Sequence, residues 1–165
     1  MLDGIRTLEL IPSPVLDAIP EHVSLRHIMA ADRDDLAALY FVSYPPDIGA
    51  ADLQDAIAEI DMTFAGDFGE LRLDASQIAF VSDEPAGAIL VTAASIWDAD
   101  LPGPFVIDLF VDPGFRGRGV GGALMTAAIA ACQRRSDRTI SLRVGEGTSA
   151  AANALYTRLG FSPTL

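Results

Sequence analysis

Between Asp108 and Gly122 the chain reads D-L-F-V-D-P-G-F-R-G-R-G-V-G-G. An apolar, β-rich run passes through Asp112-Pro113 into clustered glycines, and an alanine-rich segment follows, so the order is strand, loop, helix. Gly117, Gly119, Gly121 and Gly122 carry no Cβ, which lets backbone N–H groups come close to an anion and adopt conformations that other residues avoid. The helix adds its positive N-terminal end, and Arg116 and Arg118 add full charges. The stretch reads as a phosphate cradle.

Two other glycine-loop architectures bear on the same residues. Gly117-Arg118-Gly119-Val120-Gly121-Gly122 satisfies G-x-G-x-x-G, and Glu146 ends the next expected strand, where a dinucleotide fold places its ribose-binding acid. In that fold, however, the first glycine directly follows the strand and further βα units come after it. Here residues 112–116 intervene and the sequence stops at Leu165. A Walker A loop requires Lys then Ser or Thr after its last glycine, and this chain has Gly122-Ala123.

Residues 116–121, together with the later run A-N-A-L-Y-T-R-L-G-F over residues 152–161, resemble the GNAT superfamily of N-acetyltransferases. The resemblance is specific in residues 111–122 and 156–161 and extends over about residues 23–161 in its order of elements. It implies a three-layer α/β (α+β) fold, a mixed and mostly antiparallel sheet flanked by helices. It also implies acetyl-CoA as cosubstrate and transfer of the acetyl group to a primary amine by direct attack, on a small molecule or a peptide. A catalytically silent acyl-CoA-binding or regulatory module on the same fold would share these motifs.

The element pattern agrees with that order. Pro12, Pro14 and Pro20 punctuate residues 1–20, an extended arm with at most one short strand near residues 5–11, and residues 21–165 form a single domain. A strand is expected at 23–28, then a helix from an Asp32 N-cap to about Ser43. Leu53, Ile57, Ile60 and Phe64 share one face of a second helix capped near Asp52. Strands at 78–81 and 88–95 form a hairpin about a turn at 83–87. Strand 105–111, helix 120–134, strand 139–144 and helix 149–159, stopped by Gly160, complete the series. After Phe161 too few residues remain for the family's final strands, so a sheet edge needs cover. Ile5, Leu8, Leu10 and Ile11 of the arm offer it, within the chain or exchanged across a homodimer.

The chain has 165 residues, half of them hydrophobic, enough to bury one full core. Its net charge of -12 opposes nonspecific binding to nucleic acid or to an anionic membrane, and suits a cationic acceptor or simply keeps an apolar protein soluble. No apolar run is long enough to span a bilayer and no signal-peptide pattern opens the chain, which points to the cytoplasm. One cysteine, Cys132, and two histidines argue against a disulfide or a structural metal site.

By position the resemblance assigns coenzyme contacts to the backbone of Leu109, Phe110 and Val111, to the loop Arg116, Gly117, Arg118, Gly119, Val120, Gly121 and Gly122, and to Ser149 or Asn153 on the last helix. The family often carries an asparagine where Ser149 stands; Ser149 also suits an N-cap. Tyr156 matches the tyrosine that usually points at the coenzyme sulfur, and a phenol can protonate a thiolate of similar basicity. It would otherwise close the helix edge by packing. Asp108 is the candidate base, a carboxylate in the apolar run V-I-D-L-F-V; alternatively it sits solvated or paired at the cleft mouth and a water chain takes the proton. His22 and His27 are expected to lie far from the motif. Acceptor specificity is expected from residues 44–49 and 97–102.

Overall fold

Strand β4 (Glu84–Thr92) is buried almost end to end because both of its faces are covered. Ile89 and Val91 turn to a core shared with helix α3 (Val120–Arg134), while Ala88 and Leu90 turn to one built with α1 (Arg33–Ser43) and α2 (Leu53–Ala65). An apolar run without polar alternation marks such a doubly covered strand. This computed structural model describes residues 4–164. The other elements are β1 (Ile5–Glu9), β2 (Val23–His27), β3 (Gln77–Val81), β5 (Phe105–Val111), β6 (Thr139–Arg143), α4 (Ala150–Leu159) and β7 (Ser162–Pro163).

Among the described residues the strands form one sheet in the order β2-β3-β4-β5-β6-β1-β7. Neighbours are antiparallel except β5 and β6, which run parallel because α3 carries the chain back across the sheet. The mixed sheet between two helical layers is the expected fold class.

The arm supplies the missing cover from within the chain. β1 pairs along β6 from Ile5 opposite Arg143 to Glu9 opposite Thr139, and its other edge takes the two-residue β7. Ile5, Leu8 and Leu10 are buried, whereas Ile11 is 65% exposed and lies outside the cover. Thr7 Oγ1 lies 2.8 Å from Ser141 Oγ and 2.6 Å from Thr164 Oγ1.

Two local expectations are corrected. The hairpin turn is only Ser82-Asp83, both at positive φ (52° and 64°), the geometry whose twist matches a two-residue hairpin. Asp32 does not cap α1 with its side chain, because its carboxylate accepts from Arg26 Nη1 and Nη2 at 2.8 and 2.6 Å and from Met29 N at 2.8 Å. Asp52 does cap α2, accepting from Asp55 N at 2.8 Å.

Candidate active site

β5 and β6 are paired at only two positions, Phe105 with Ser141 and Val106 with Leu142, and part beyond them. A cleft of about 610 Å³ opens in the gap, lined among others by Leu109, Val111, Gly121, Ser149, Leu155 and Tyr156. A strand residue directs its own N–H and C=O to the same edge, and successive residues alternate. Leu109 O accepts from Tyr44 Oη at 3.3 Å and Val111 O from Arg116 Nε at 3.1 Å. Both carbonyls therefore face away from β4, and so do the N–H groups of Leu109 and Val111. Phe110 is turned the other way: it pairs with Ala88, and the next N–H on that edge, that of Asp112, donates to Ala86 O at 2.9 Å. Its N–H is committed to the ladder, so of the three strand residues expected to offer an N–H only Leu109 and Val111 do.

The glycine loop closes one end of the cleft. Gly117 and Gly119 hold φ of 78° and 80°, which L side chains rarely adopt, and Gly119 is the N-cap of α3. A Cβ on Gly119 would meet Pro20 Cγ at 2.9 Å, so the arm itself demands glycine there. At Gly121 a Cβ would find only Leu155 Cδ2 and Val111 Cγ2, both at 3.8 Å, which leaves room for an anion at the helix start. Arg116 lines the cleft and also ties the end of α1 to β5, since its Nη2 donates to Ser43 O at 2.7 Å.

Three sequence expectations change here. Arg118 lies outside the cleft lining, its guanidinium 5.6 Å from the Phe115 ring centroid. Asn153 is exposed and also outside, because about 100° per residue puts Ser149, Ala152 and Tyr156 towards the cleft and Asn153 past its edge. Ser149 lines the cleft while its Oγ caps α4, accepting from Ala152 N at 3.1 Å. His22 is not remote: its Nε2 lies 2.8 Å from Arg118 O.

Asp108 stands where a β-bulge interrupts β5. Leu90 opposes Asp108 but Val91 opposes Val106, so Ile107 is the extra residue, and bulges re-aim side chains beside sites. Tyr44 Oη donates to Asp108 Oδ1 at 3.0 Å. The Tyr44 ring packs edge-on to Tyr40 at 5.2 Å, and both abut Phe110, which makes a stiff aromatic wall. Desolvation pushes the Asp108 carboxyl up to about 7; the Tyr44 hydrogen bond opposes this and the charge of Glu59 adds to it. Burial, reinforced by the Asp108 charge, pushes the Tyr156 phenol up to about 12 and raises Tyr40 and Tyr44 above the ordinary tyrosine range. Tyr156 packs edge-on against Phe161 at 5.9 Å, and among the described residues its hydroxyl has no hydrogen-bond partner.

A second hollow of about 220 Å³ shares Tyr44, Asp108, Gly147 and Thr148 with the cleft and is lined besides by Tyr40 and Ile48. Of residues 44–49, Tyr44, Pro45 and Ile48 line these spaces, whereas residues 97–102 line neither. The Trp97 ring stacks on Phe68 at 6.3 Å, and Asp98 is buried against Ser95 Oγ (2.9 Å) and Arg143 Nη2 (2.8 Å), which holds that loop elsewhere. Tyr40 was not singled out from sequence; its signal was the i, i+4 spacing to Tyr44 on one helix face. Nothing local pointed to Arg158, which lines the cleft with Nη2 2.5 Å from Asp17 Oδ2 of the arm. Among the described residues no group of His, Cys, Asp and Glu is placed to hold a metal ion, and no helix is long and apolar enough to cross a membrane.

A splayed strand pair whose free N–H groups run into a glycine loop and helix N-terminus defines a class of acyl-coenzyme-binding folds. Residues 33–161 match the model of the Acetyltransferase (GNAT) family, and the chain belongs to that family. A mycothiol acetyltransferase of Beutenbergia cavernae is 39% identical over 99 residues, covering 58% of this chain and 31% of that protein. The chain spans less than half the length of the curated relatives it matches. A GCN5-related N-acetyltransferase from Sphaerobacter thermophilus superposes with a TM-score of 0.72 at 17% identity, over 98% of this chain and 48% of that one. The aminoglycoside acetyltransferase AAC(6')-Iy, solved with a bisubstrate analogue of coenzyme A, superposes with a TM-score of 0.65 at 19% identity, over 88% and 94%.

Proposed function

We propose that this protein transfers the acetyl group of acetyl-CoA to a primary amine by direct attack. The observation that carries the reading is the pair of outward N–H groups on Leu109 and Val111, continuous with the Gly121 end of α3 and adjoining Asp108. Bound coenzyme supplies the acetyl group as a thioester. The α3 N-terminus and loop N–H groups hold the pyrophosphate, and the Leu109 and Val111 N–H groups hold the pantetheine and polarise the acetyl oxygen. Asp108, with a carboxyl near 7, takes the proton from the incoming ammonium at Oδ2, while Tyr44 orients it through Oδ1. The neutral amine nitrogen bonds to the acetyl carbon, the carbon–sulfur bond breaks, Tyr156 Oη protonates the departing thiolate, and the second proton shed by the nitrogen as the amide forms returns to the Tyr156 phenolate while Asp108 passes its proton to solvent. Tyr156 lines the coenzyme cleft with an unengaged hydroxyl, which supports that role. The names of the relatives support acetyl transfer to an amine. The proposed setting is the cytoplasm.

The test is thiol release from acetyl-CoA over an amine panel. Turnover that depends on Tyr156 supports the reading. Coenzyme binding without turnover of any amine would instead identify a silent acyl-CoA-binding module.

A further inference from the structure

The smaller hollow lined by Asp108 has a chemistry that narrows the acceptor. We propose that it takes a compact primary amine carrying no carboxylate or other anionic group next to the nitrogen, so that amines are used and the matching α-amino acids are not. This rests on the transfer reading above.

Size is the first argument. At about 220 Å³ the space is small beside the roughly 300–1,000 Å³ of a drug-sized ligand site, and it is bounded across its width by a contact between two loops. A Cβ on Gly147 would lie 2.7 Å from Ile48 Cγ2, so the segment after β6 and the segment after α1 already touch there. An acceptor with a large body next to its nitrogen would have to part them.

Charge is the second. None of the chain's eleven arginines lines this hollow, and the sequence has no lysine. The three arginines lining the neighbouring cleft are engaged, Arg116 on Ser43 O and Val111 O, Arg143 on Asp98, and Arg158 on Asp17. The lining instead presents the Asp108 carboxylate and the rings of Tyr40 and Tyr44, with Glu59 of α2 close enough to act on both Asp108 and Tyr40. An ammonium is attracted by a carboxylate and by aromatic faces. A carboxylate one carbon from that ammonium would be forced within a few ångströms of Asp108 without a countercharge, where like-charge repulsion in a partly desolvated site is severe.

Matched pairs test this: phenethylamine against phenylalanine, tyramine against tyrosine, and isobutylamine against valine, each with saturating acetyl-CoA. kcat/KM is expected to favour the amine in every pair by at least about a hundredfold. Adding a cation should erode that preference, so Thr148→Lys and, independently, Ile48→Arg should each shrink the ratio at least about tenfold. Equal use of both members of the pairs overturns the acceptor class while leaving acetyl transfer standing. A large ratio that neither variant moves overturns the electrostatic basis of the proposal. No thiol release with any amine, in protein that binds acetyl-CoA by calorimetry, overturns the transfer reading and this inference with it.

Discussion

The Tyr44 hydroxyl donates to Asp108 Oδ1 at 3.0 Å and reaches Leu109 O at 3.3 Å, so one side chain at the end of α1 braces both the candidate base and the strand that would hold the coenzyme. A hydrogen bond to a carboxylate favours its charged form, and it works here against a larger desolvation effect. Tyr44→Phe should therefore move the acidic limb of the kcat/KM profile to higher pH while keeping the aromatic wall. A limb that stays in place would show that Asp108 is not the group being read.

Asp108→Asn separates catalysis from stability. The carboxyl is held near 7, well above the roughly 3.9 of an unfolded aspartate, so between those values the folded chain binds more protons than the unfolded one. Stability from this group is full below about pH 4 and is lost as pH rises through about 7. The variant should lose the acidic limb and most of its rate. It should also melt above the parent at pH 8, by a few degrees for each ~1 kcal/mol, with the gap closing towards pH 4. A parent that melts higher at pH 8 would contradict the buried carboxylate.

Tyr156→Phe should lower kcat about a hundredfold or more with little change in acetyl-CoA affinity, because only the proton donor is removed. Unchanged turnover across pH would make Tyr156 a packing partner of Phe161 and no more.

At the far end of the cleft Asp17 neutralises Arg158, the two atoms 2.5 Å apart. Releasing that arginine towards the coenzyme's phosphates should tighten acetyl-CoA binding severalfold in Asp17→Asn and weaken it in Arg158→Gln, both read by calorimetry. If both substitutions leave affinity unchanged, the pair is only a surface contact of the kind that contributes little.

β1 makes the arm part of the core. Leu8 is 3% exposed, and Leu8→Ala should cost about 2–5 kcal/mol in denaturant unfolding. A loss within ~0.5 kcal/mol would mean that the strand does not hold the sheet edge.

Much of this was legible because the pattern was local. The strand, glycine loop and helix of residues 108–134 are contiguous, and the face that carries Ser149 and Tyr156 follows from helical spacing. What sequence could not show is register and long-range contact. Phe110 was grouped with Leu109 and Val111 because only pairing with Ala88 reveals which edge its N–H takes. The path of the chain's first residues brings His22 to Arg118 O and Asp17 to Arg158, partners 96 and 141 residues away in sequence. The bulge that sets Asp108 beside Tyr44 depends on how β5 meets β4, and residues 97–102 left the site because Asp98 found Arg143.

The central claim is that an anionic acyl carrier lies across the start of α3, and titration calorimetry of acetyl-CoA into the parent and Gly121→Glu tests it most directly. Gly121 suits this better than Gly119, whose positive φ and contact with Pro20 would confound binding with folding. Glutamate in the first turn of a helix is tolerated by the helix, so the melting temperature should hold. The account predicts one-to-one binding by the parent and at least about a hundredfold weaker binding by the variant. Equal affinity in the two proteins, or no binding by the parent, would contradict it.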